Sequence, residues 1–269
     1  KNINLQYIYS PNVPSMVHPA SFEFFTTELQ FFKDSLEQFS DSKISPTKLS
    51  EAIKLHNRNR VLLRELYQLR KSHPPLLSGT EIMWVLVAGM GLPVDEYNEL
   101  LTEVIAEVSA RTIGARDRRP RLLIYGSEID DVSFISLVEE CGATVVIDDI
   151  CTGSRSFGQD VETNGSNLAM LAQRYLESIP CPRTYRPGSA AERFNYIGEF
   201  IKEYDAQGAI LYNYQFCDSH EIDIPEIREY IEGLNLPVLR IEADYISPSM
   251  AQSKTRIQAF VEMIDNQGR

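Results

Sequence analysis

Apolar residues recur every three or four positions through the first hundred residues, a spacing that predicts helices. The first helix is predicted from Ser21. Its apolar face is formed by Phe22, Phe25, Leu29, Phe32 and Leu36. A long second helix opens at Ser45-Pro46, because serine is a favoured N-cap and proline a favoured first helical residue, and it ends before Pro74-Pro75. Two more helices are predicted, one capped by Ser78-Gly79-Thr80 and one running from Val94 to about Ile113.

The segment Leu5-Gln6-Tyr7-Ile8-Tyr9 has the composition of a strand, and the breakers Pro11 and Pro14 follow it. Because the next hundred residues are predicted to be helical, this strand has no partner nearby in sequence. It is either an added edge strand or the last strand of a domain upstream of this chain. We favour the second interpretation.

From Arg121 onward short apolar runs alternate with helical patterns, which predicts parallel strands joined by crossover helices. The strands are predicted at residues 122–125, 145–147, 208–214 and 238–241, and the helices at 131–140, 167–178, 190–204, 225–232 and 254–264. The sequence therefore predicts an α/β fold: a helical N-terminal segment followed by a four-stranded parallel, doubly wound sheet. We place the boundary in the charged linker 114–120, giving a mainly helical segment 1–117 and an α/β domain 118–269.

Two of the predicted strands are followed directly by a cysteine. Cys151 follows the second strand and Cys217 the third. Parallel strands end at one edge of a sheet, where such folds bind ligands, so both thiols are expected at that edge. Cys181, between two prolines in a loop after a helix, is a third candidate for the same edge. Thiolates from separate strand ends can bind a metal or an iron–sulfur cluster, but the spacing is also compatible with coincidence.

Polar residues accompany both cysteines. Thr152, Gly153 and Ser154 could turn backbone N–H groups toward an anion or a cluster sulfide, with Arg155 adding positive charge, or they could simply cap a helix. Near Cys217, Asp218 and His220 are candidate site residues. His220 is either a proton donor, an outer hydrogen-bond partner or an ordinary loop residue.

Composition narrows the functional classes. The net charge of −12 argues against nucleic-acid binding, which requires a basic surface. Four cysteines in 269 residues are too few for a secreted disulfide scaffold, and no stretch is apolar enough to span a bilayer. We therefore expect a cytoplasmic protein that does not bind a membrane. A basic run on the second predicted helix, which includes Arg70, could attract a phosphate-bearing ligand, but we favour its interpretation as a solvated face. The motifs of serine hydrolases, P-loop NTPases and dinucleotide-binding proteins are absent from the sequence.

Separated motifs in a consistent order resemble the 2-hydroxyacyl-CoA dehydratase and benzoyl-CoA reductase family, and in particular its D-component-like subunits. The motifs are Asp148-Asp149-Ile150-Cys151-Thr152-Gly153-Ser154-Arg155, Ile179-Pro180-Cys181-Pro182, Phe216-Cys217-Asp218, the helix from Leu49 to Arg60, the turn Pro75 to Gly79, and Glu242-Ala243-Asp244-Tyr245 with the following Thr255 to Phe260. The resemblance covers essentially the whole chain.

The resemblance implies flavodoxin-like α/β domains and a cysteine-bound [4Fe-4S] cluster, or in one branch a double-cubane [8Fe-9S] cluster. It implies that Cys151 and Cys217 are cluster ligands, with Cys181 a weaker third. It also implies a homologous second subunit and an ATP-dependent activator that donates one electron. In the dehydratases that electron converts the acyl-CoA thioester into a ketyl radical anion, which expels the hydroxyl group.

The same resemblance leaves other functions open. A benzoyl-CoA reductase-type subunit, a double-cubane-cluster reductase and a non-catalytic electron-relay or scaffold subunit all share these motifs. The family normally has an earlier α/β domain with a Cys-Asp-Gly segment, and this chain has no cysteine before Cys141. We therefore expect that the N-terminal domain is missing. The chain is then a fragment, a split subunit or a degenerate member of the family, and whether its ligand set is complete without that domain stays open at this point.

Overall fold

The computed structural model describes residues 5–112, 114, 118–244 and 250–267. Within these ranges the helices are α1 (Pro19–Ser40), α2 (Pro46–Gln68), α3 (Gly79–Gly89), α4 (Val94–Ser109), α5 (Val132–Glu140), α6 (Ser154–Phe157), α7 (Asn167–Gln173), α8 (Ala190–Glu203), α9 (Asp218–Gly233) and α10 (Met250–Gln267). The strands are β1 (Arg121–Gly126), β2 (Thr144–Asp149), β3 (Gly208–Tyr214) and β4 (Val238–Ala243). No helix among these residues combines the length and the apolarity that a bilayer crossing requires.

The four predicted strands are confirmed, and each pairs in parallel with its neighbours in the order β2-β1-β3-β4. The first three are buried along nearly their whole length, as expected for a sheet covered on both faces. β2 continues two residues beyond the prediction, so that Asp148 and Asp149 are strand residues with buried side chains.

Helices cover both faces of this sheet, which confirms the doubly wound prediction. Tyr125 of β1 pairs in register with Leu211 of β3, so these two side chains lie on the same face of the sheet. Tyr212 follows Leu211 along β3 and therefore points to the opposite face. The Tyr212 ring lies against Phe134 of α5, and the Tyr125 ring lies against His220 of α9. α5 and α9 therefore pack on opposite sides.

Two sequence predictions differ from the structure. The helix predicted from Pro225 begins at Asp218 instead, because Asp218 and Glu221 occupy its first turn, where acidic side chains are favourable, and the proline lies inside it. Residues 5–9 form no edge strand here, and their tyrosines pack on α1, where Tyr7 stacks on Phe39 at 4.6 Å between ring centroids. That this segment is the last strand of an upstream domain stays a prediction.

The chain groups into two compact units. Residues up to Arg58 together with 159–187 form unit 1, and residues 59–158 together with 188–269 form unit 2, which contains the whole sheet. Unit 1 has a small core of Phe25, Ala172 and Leu176, in which α7 packs on α1. The predicted domains 1–117 and 118–269 stay a prediction, and residues 113 and 115–117 at or beside their linker lie outside the described residues.

Candidate functional site

The carboxyl edge of the sheet carries both predicted cysteine loops, and both belong to unit 2. Exposed Cys151 comes two residues after the end of β2, and half-buried Cys217 comes three residues after the end of β3. β1 lies between these two strands and ends at Gly126. From β1 the chain continues first to β2 on one side and later to β3 on the other side. Open α/β sheets bind ligands at the carboxyl end of the strands where the order reverses in this way.

The sulfur of Cys151 lies against two side chains that the sequence also singled out. Arg155 Nη1 is 3.4 Å from Cys151 Sγ, and His220 Nε2 is 3.9 Å from the same sulfur. Arg155 Nη1 and His220 Nε2 are themselves 3.2 Å apart. The structure thus brings Cys151, Arg155 and His220 together, with a cationic N–H donor at the thiol, an arrangement that favours the thiolate form of a cysteine.

Buried contacts fix Arg155 in this position. Its Nη2 donates to Asp149 Oδ2 at 2.8 Å and to the Asp149 carbonyl at 2.7 Å, while Nη1 donates to the Gly126 carbonyl at 3.1 Å. The Tyr196 hydroxyl donates to the same carboxylate at 2.9 Å. Burial acts to lower the pKa of Arg155, but the Asp149 carboxylate raises it well above its ordinary value, so the guanidinium stays charged.

His220 is a neutral hydrogen-bond partner in this arrangement. Burial, followed by the positive charge of Arg155, lowers the pKa of His220 to about 3. Because Arg155 can only donate, His220 Nε2 accepts and the proton lies on Nδ1, which has no hydrogen-bond partner among the described residues. This geometry favours the outer-partner interpretation of His220 over the proton-donor interpretation.

The segment Thr152-Gly153-Ser154 wraps around the carboxylate of Asp148. Ser154 N donates to Asp148 Oδ1 at 2.9 Å, and Ser154 Oγ donates to the Asp148 carbonyl at 2.5 Å. The Thr152 hydroxyl donates to the Ile129 carbonyl at 2.7 Å. The Ser154 N–H is therefore used by the protein itself, which corresponds to the helix-capping alternative. A Cβ at position 153 would lie 2.0 Å from Asp148 Oδ1, so only glycine fits there.

Sequence reasoning missed two residues that support this turn from α2 and the loop after it. The Tyr67 hydroxyl and Arg70 Nη1 both donate to Asp148 Oδ2, at 2.7 and 3.1 Å. The solvated-face interpretation is wrong for Arg70, because its side chain is fully buried. No signal in the sequence identified Arg70 as buried, because it belongs to a run of basic residues and its partner Asp148 is 78 residues away.

Cys217 is the N-cap residue of α9, and its carbonyl accepts from His220 N at 3.0 Å. The two cysteine loops are therefore connected through His220, whose ring reaches Cys151. Asp218 is exposed in the first helical turn. Asn213, a fully buried residue of β3 that the sequence did not single out, has a carbonyl oxygen, Oδ1, without a hydrogen-bond partner in the described part of the chain.

Cys181 belongs to unit 1, in the loop after the π-helical turn Arg174–Ser178 that continues α7. There it lines an apolar cavity. Across the described ranges no three His, Cys, Asp or Glu side chains are grouped so that they could hold a metal ion. The predicted ligand role of the three cysteines thus remains a prediction.

Sequence comparisons give a consistent family. The model of the family described as "2-hydroxyglutaryl-CoA dehydratase, D-component" matches residues 2–264. The relatives include the beta subunit of (R)-2-hydroxyglutaryl-CoA dehydratase of Acidaminococcus fermentans, 27% identical over 86% of this chain and 62% of that protein. A putative dehydratase subunit, YjiM, of Escherichia coli K12 is 30% identical over 93% of this chain and 66% of its own length. A benzoyl-CoA reductase subunit of Thauera aromatica is 28% identical over 89% of this chain and 60% of its own length. The chain therefore spans less than two thirds of the length of these relatives.

Proposed function

This chain belongs to the 2-hydroxyglutaryl-CoA dehydratase D-component family, and we propose that it is part of a subunit of an enzyme that eliminates water from a 2-hydroxyacyl-CoA. The names of the dehydratase relatives support the reaction class, and three of them are named as beta subunits. A homologous second subunit is accordingly part of the proposal, as is an ATP-dependent activator that donates electrons. The single observation that carries the chemistry is the cationic N–H donor of Arg155 at the sulfur of Cys151.

The cysteines at the sheet edge are ligands of the kind that an iron–sulfur cluster takes, but there are too few of them to complete its coordination. Thiolates are the ligands that such clusters take, and hydrogen bonds to sulfur and the surrounding charge set their potential. In this chain Cys151 and Cys217 would hold the cluster, and the described residues offer no complete ligand set around them. We propose that other polypeptide of the assembled enzyme supplies the remaining ligands. When bound, a [4Fe-4S] or double-cubane cluster would supply one electron at low potential to the thioester, giving the radical route.

The chain's own residues have defined tasks in this proposal. Arg155, fixed by Asp149, keeps a positive charge next to Cys151, which stabilises the thiolate and would stabilise negative charge on a thioester oxygen. His220 remains neutral and accepts from Arg155, so it adds no second positive charge. Tyr196 stays protonated, because burial and then Asp149 raise its pKa well above the ordinary value, and it continues to donate to the carboxylate.

The test is the iron and acid-labile sulfide content of the protein, purified anaerobically together with its companion subunit. Cys151→Ser and Cys217→Ser should each lower iron content and abolish dehydration of the 2-hydroxyacyl-CoA. Cys141→Ser is the matched control, since Cys141 lies at the end of α5, where its sulfur is 3.8 Å from the Lys254 carbonyl. Full iron content and turnover in both site variants would remove the proposal.

A second function, reduction of an aromatic acyl-CoA, is favoured by the match to the benzoyl-CoA reductase of Thauera aromatica. It uses the same residues, so substrate turnover distinguishes the two. The dehydratase proposal expects consumption of 2-hydroxyacyl thioesters with release of the 2-enoyl product. Consumption of benzoyl-CoA without any dehydration would replace it with the reductase.

A further inference from the structure

Unit 1 contains a cavity that the proposed chemistry does not use. Its volume is about 740 Å³, within the range of ligand pockets in proteins. One wall is the apolar face of α1, with Leu29, Phe32 and Leu36, and another is α7, with Leu168 and Leu171. These five side chains are only half-buried, so their apolar surface faces open space rather than a packed core.

The charged residues at this cavity are of one sign. Lys33 and Arg183 line it, and no carboxylate does among the described residues. This stands out in a chain with a net charge of −12. Lys33 is neutralised, because its ammonium is 2.6 Å from the Glu37 carboxylate.

Arg183 is the uncompensated charge. Its two terminal nitrogens donate to the carbonyl oxygens of Pro14 and Val13, at 3.1 and 2.7 Å. These partners are neutral, and within the described part of the chain the guanidinium has no carboxylate partner. An arginine whose charge is not balanced by the protein is suited to a carboxylate ligand, because charge-assisted hydrogen bonds are the strong ones.

We propose that this cavity binds a free medium-chain fatty acid, with the hydrocarbon between α1 and α7 and the carboxylate at Arg183. The apolar walls exclude a ligand that is polar along its length, since burying unpaired polar groups is costly. The positive charge selects an anionic head over a neutral or cationic one. The site needs neither Cys151 nor any cofactor.

Calorimetric titration of the purified chain with laurate, below its critical micelle concentration, tests the proposal. Dodecanol and dodecyltrimethylammonium have the same chain length with a neutral and a cationic head, and laurate should bind about tenfold or more tightly than either. Lauroyl-CoA is the fourth ligand, and binding of the thioester but not of free laurate would overturn the proposal.

Variants separate the apolar and the charged contributions. Leu171→Trp fills the cavity and should lower the affinity for laurate about tenfold or more. Leu100→Trp, on α4 of unit 2, should leave that affinity unchanged. Arg183→Met should weaken laurate but not dodecanol, and Arg183→Lys should restore part of the loss. Equal affinity of laurate and dodecanol, or unaltered binding in Leu171→Trp, would overturn the proposal. Retained laurate binding in Cys151→Ser shows that the site is independent of the proposed enzyme activity.

Discussion

Two consecutive carboxylates in unit 2 are each paired with a buried arginine from a different part of the chain. Asp148 pairs with Arg70, and Asp149 pairs with Arg155. A buried ion pair adds little net stability over an apolar equivalent, but removing one partner leaves an unpaired buried charge. The two pairs therefore constrain the strand end and the loop that carries Cys151 more than they stabilise the fold.

The Arg70–Asp148 pair can be tested with a double-mutant cycle. Arg70→Met should destabilise the protein by about 3–5 kcal/mol, because Asp148 keeps its charge without a cationic partner. Combining it with Asp148→Asn removes that charge, so the double variant should recover a substantial part of the loss. The free energies of unfolding in urea, measured by Trp84 fluorescence, give the coupling directly. Additive losses would mean that the two side chains do not interact energetically.

Gly153 is required by the packing of the turn over Asp148. An added methyl group would lie 2.0 Å from Asp148 Oδ1 and 2.8 Å from Cγ1 of Ile150, so it has no space. Gly153→Ala should cost about 1–3 kcal/mol and speed alkylation of Cys151, because the turn must open. Gly158→Ala is the matched control, since the nearest atom to its added Cβ would be 3.5 Å away. The prediction is wrong if both variants react with iodoacetamide at the native rate.

Among individual residues, the sequence predicted the contacts between side chains that are close together along the chain. Cys151 and Arg155 are four residues apart in the turn and helix that follow β2, so their proximity follows from the chain itself. The partner of Asp148 is 78 residues away, and nothing in the local pattern around Arg70 distinguishes a buried arginine from a solvated one. His220 was found because it follows Cys217 closely, but only the fold shows that its ring turns to the other cysteine.

Among the helices, α3 is anchored by a carboxylate from another helix. Glu139 of α5 accepts from Gly79 N at 2.8 Å, from Thr80 N at 3.0 Å and from the Thr80 hydroxyl at 2.6 Å. These donors lie at the N-terminus of α3, where a negative charge is favourable. Glu139 therefore connects α5 to the N-terminus of α3, in addition to the capping box that Ser78 and Glu81 form there.

Glu139→Gln should lower the free energy of unfolding by about 1–3 kcal/mol, since the amide loses the charge and one accepting oxygen. The single tryptophan, Trp84, lies in α3 and reports the local change by fluorescence during urea unfolding. Glu140→Gln is the matched control, because Glu140 is the next residue of the same helix and is exposed. Identical midpoints for the two variants would contradict this role of Glu139.

Strand positions were predictable because buried parallel strands are short continuous apolar runs, and the four runs are bounded by clear turn residues. Helix starts were less predictable. Proline is favoured at the first helical position, so Pro225 suggested a start that the structure places at Asp218. The π-helical turn Arg174–Ser178 also has no sequence signal of its own, because it differs from α-helix only in hydrogen-bond register.

For the molecule as a whole, the sequence did not show that residues 159–187 return to the N-terminal helices to complete unit 1. An apolar helix face indicates that a partner exists but not which segment supplies it. α1 meets α7 in a core of three fully buried residues, whereas unit 2 has an extensive core on both faces of its sheet. Unit 1 is accordingly expected to be the less stable unit.

Acid should therefore unfold unit 1 first, and Glu37 should set part of the pH dependence. Hydrogen bonds from Lys33 and then Lys43 lower the pKa of Glu37 from 4.5 to about 2. Because the folded pKa is depressed, this carboxylate stabilises unit 1 fully above pH 4.5, and the contribution is lost as the pH falls from 4.5 toward 2. Pepsin cleavage within α1 should accelerate through that window, before cleavage in β1 or β3.

Two variants on the same helix isolate the effect. Glu37→Gln has no carboxylate to protonate, so its cleavage in α1 should already be fast at pH 4.5 and should change less between pH 4.5 and 2 than in the native chain. Glu23→Gln, an exposed position of α1, should follow the native pH profile and also corrects for the pH dependence of pepsin itself. If Glu37→Gln and Glu23→Gln gave the same profile, the stability of unit 1 in acid would have to depend on other carboxylates.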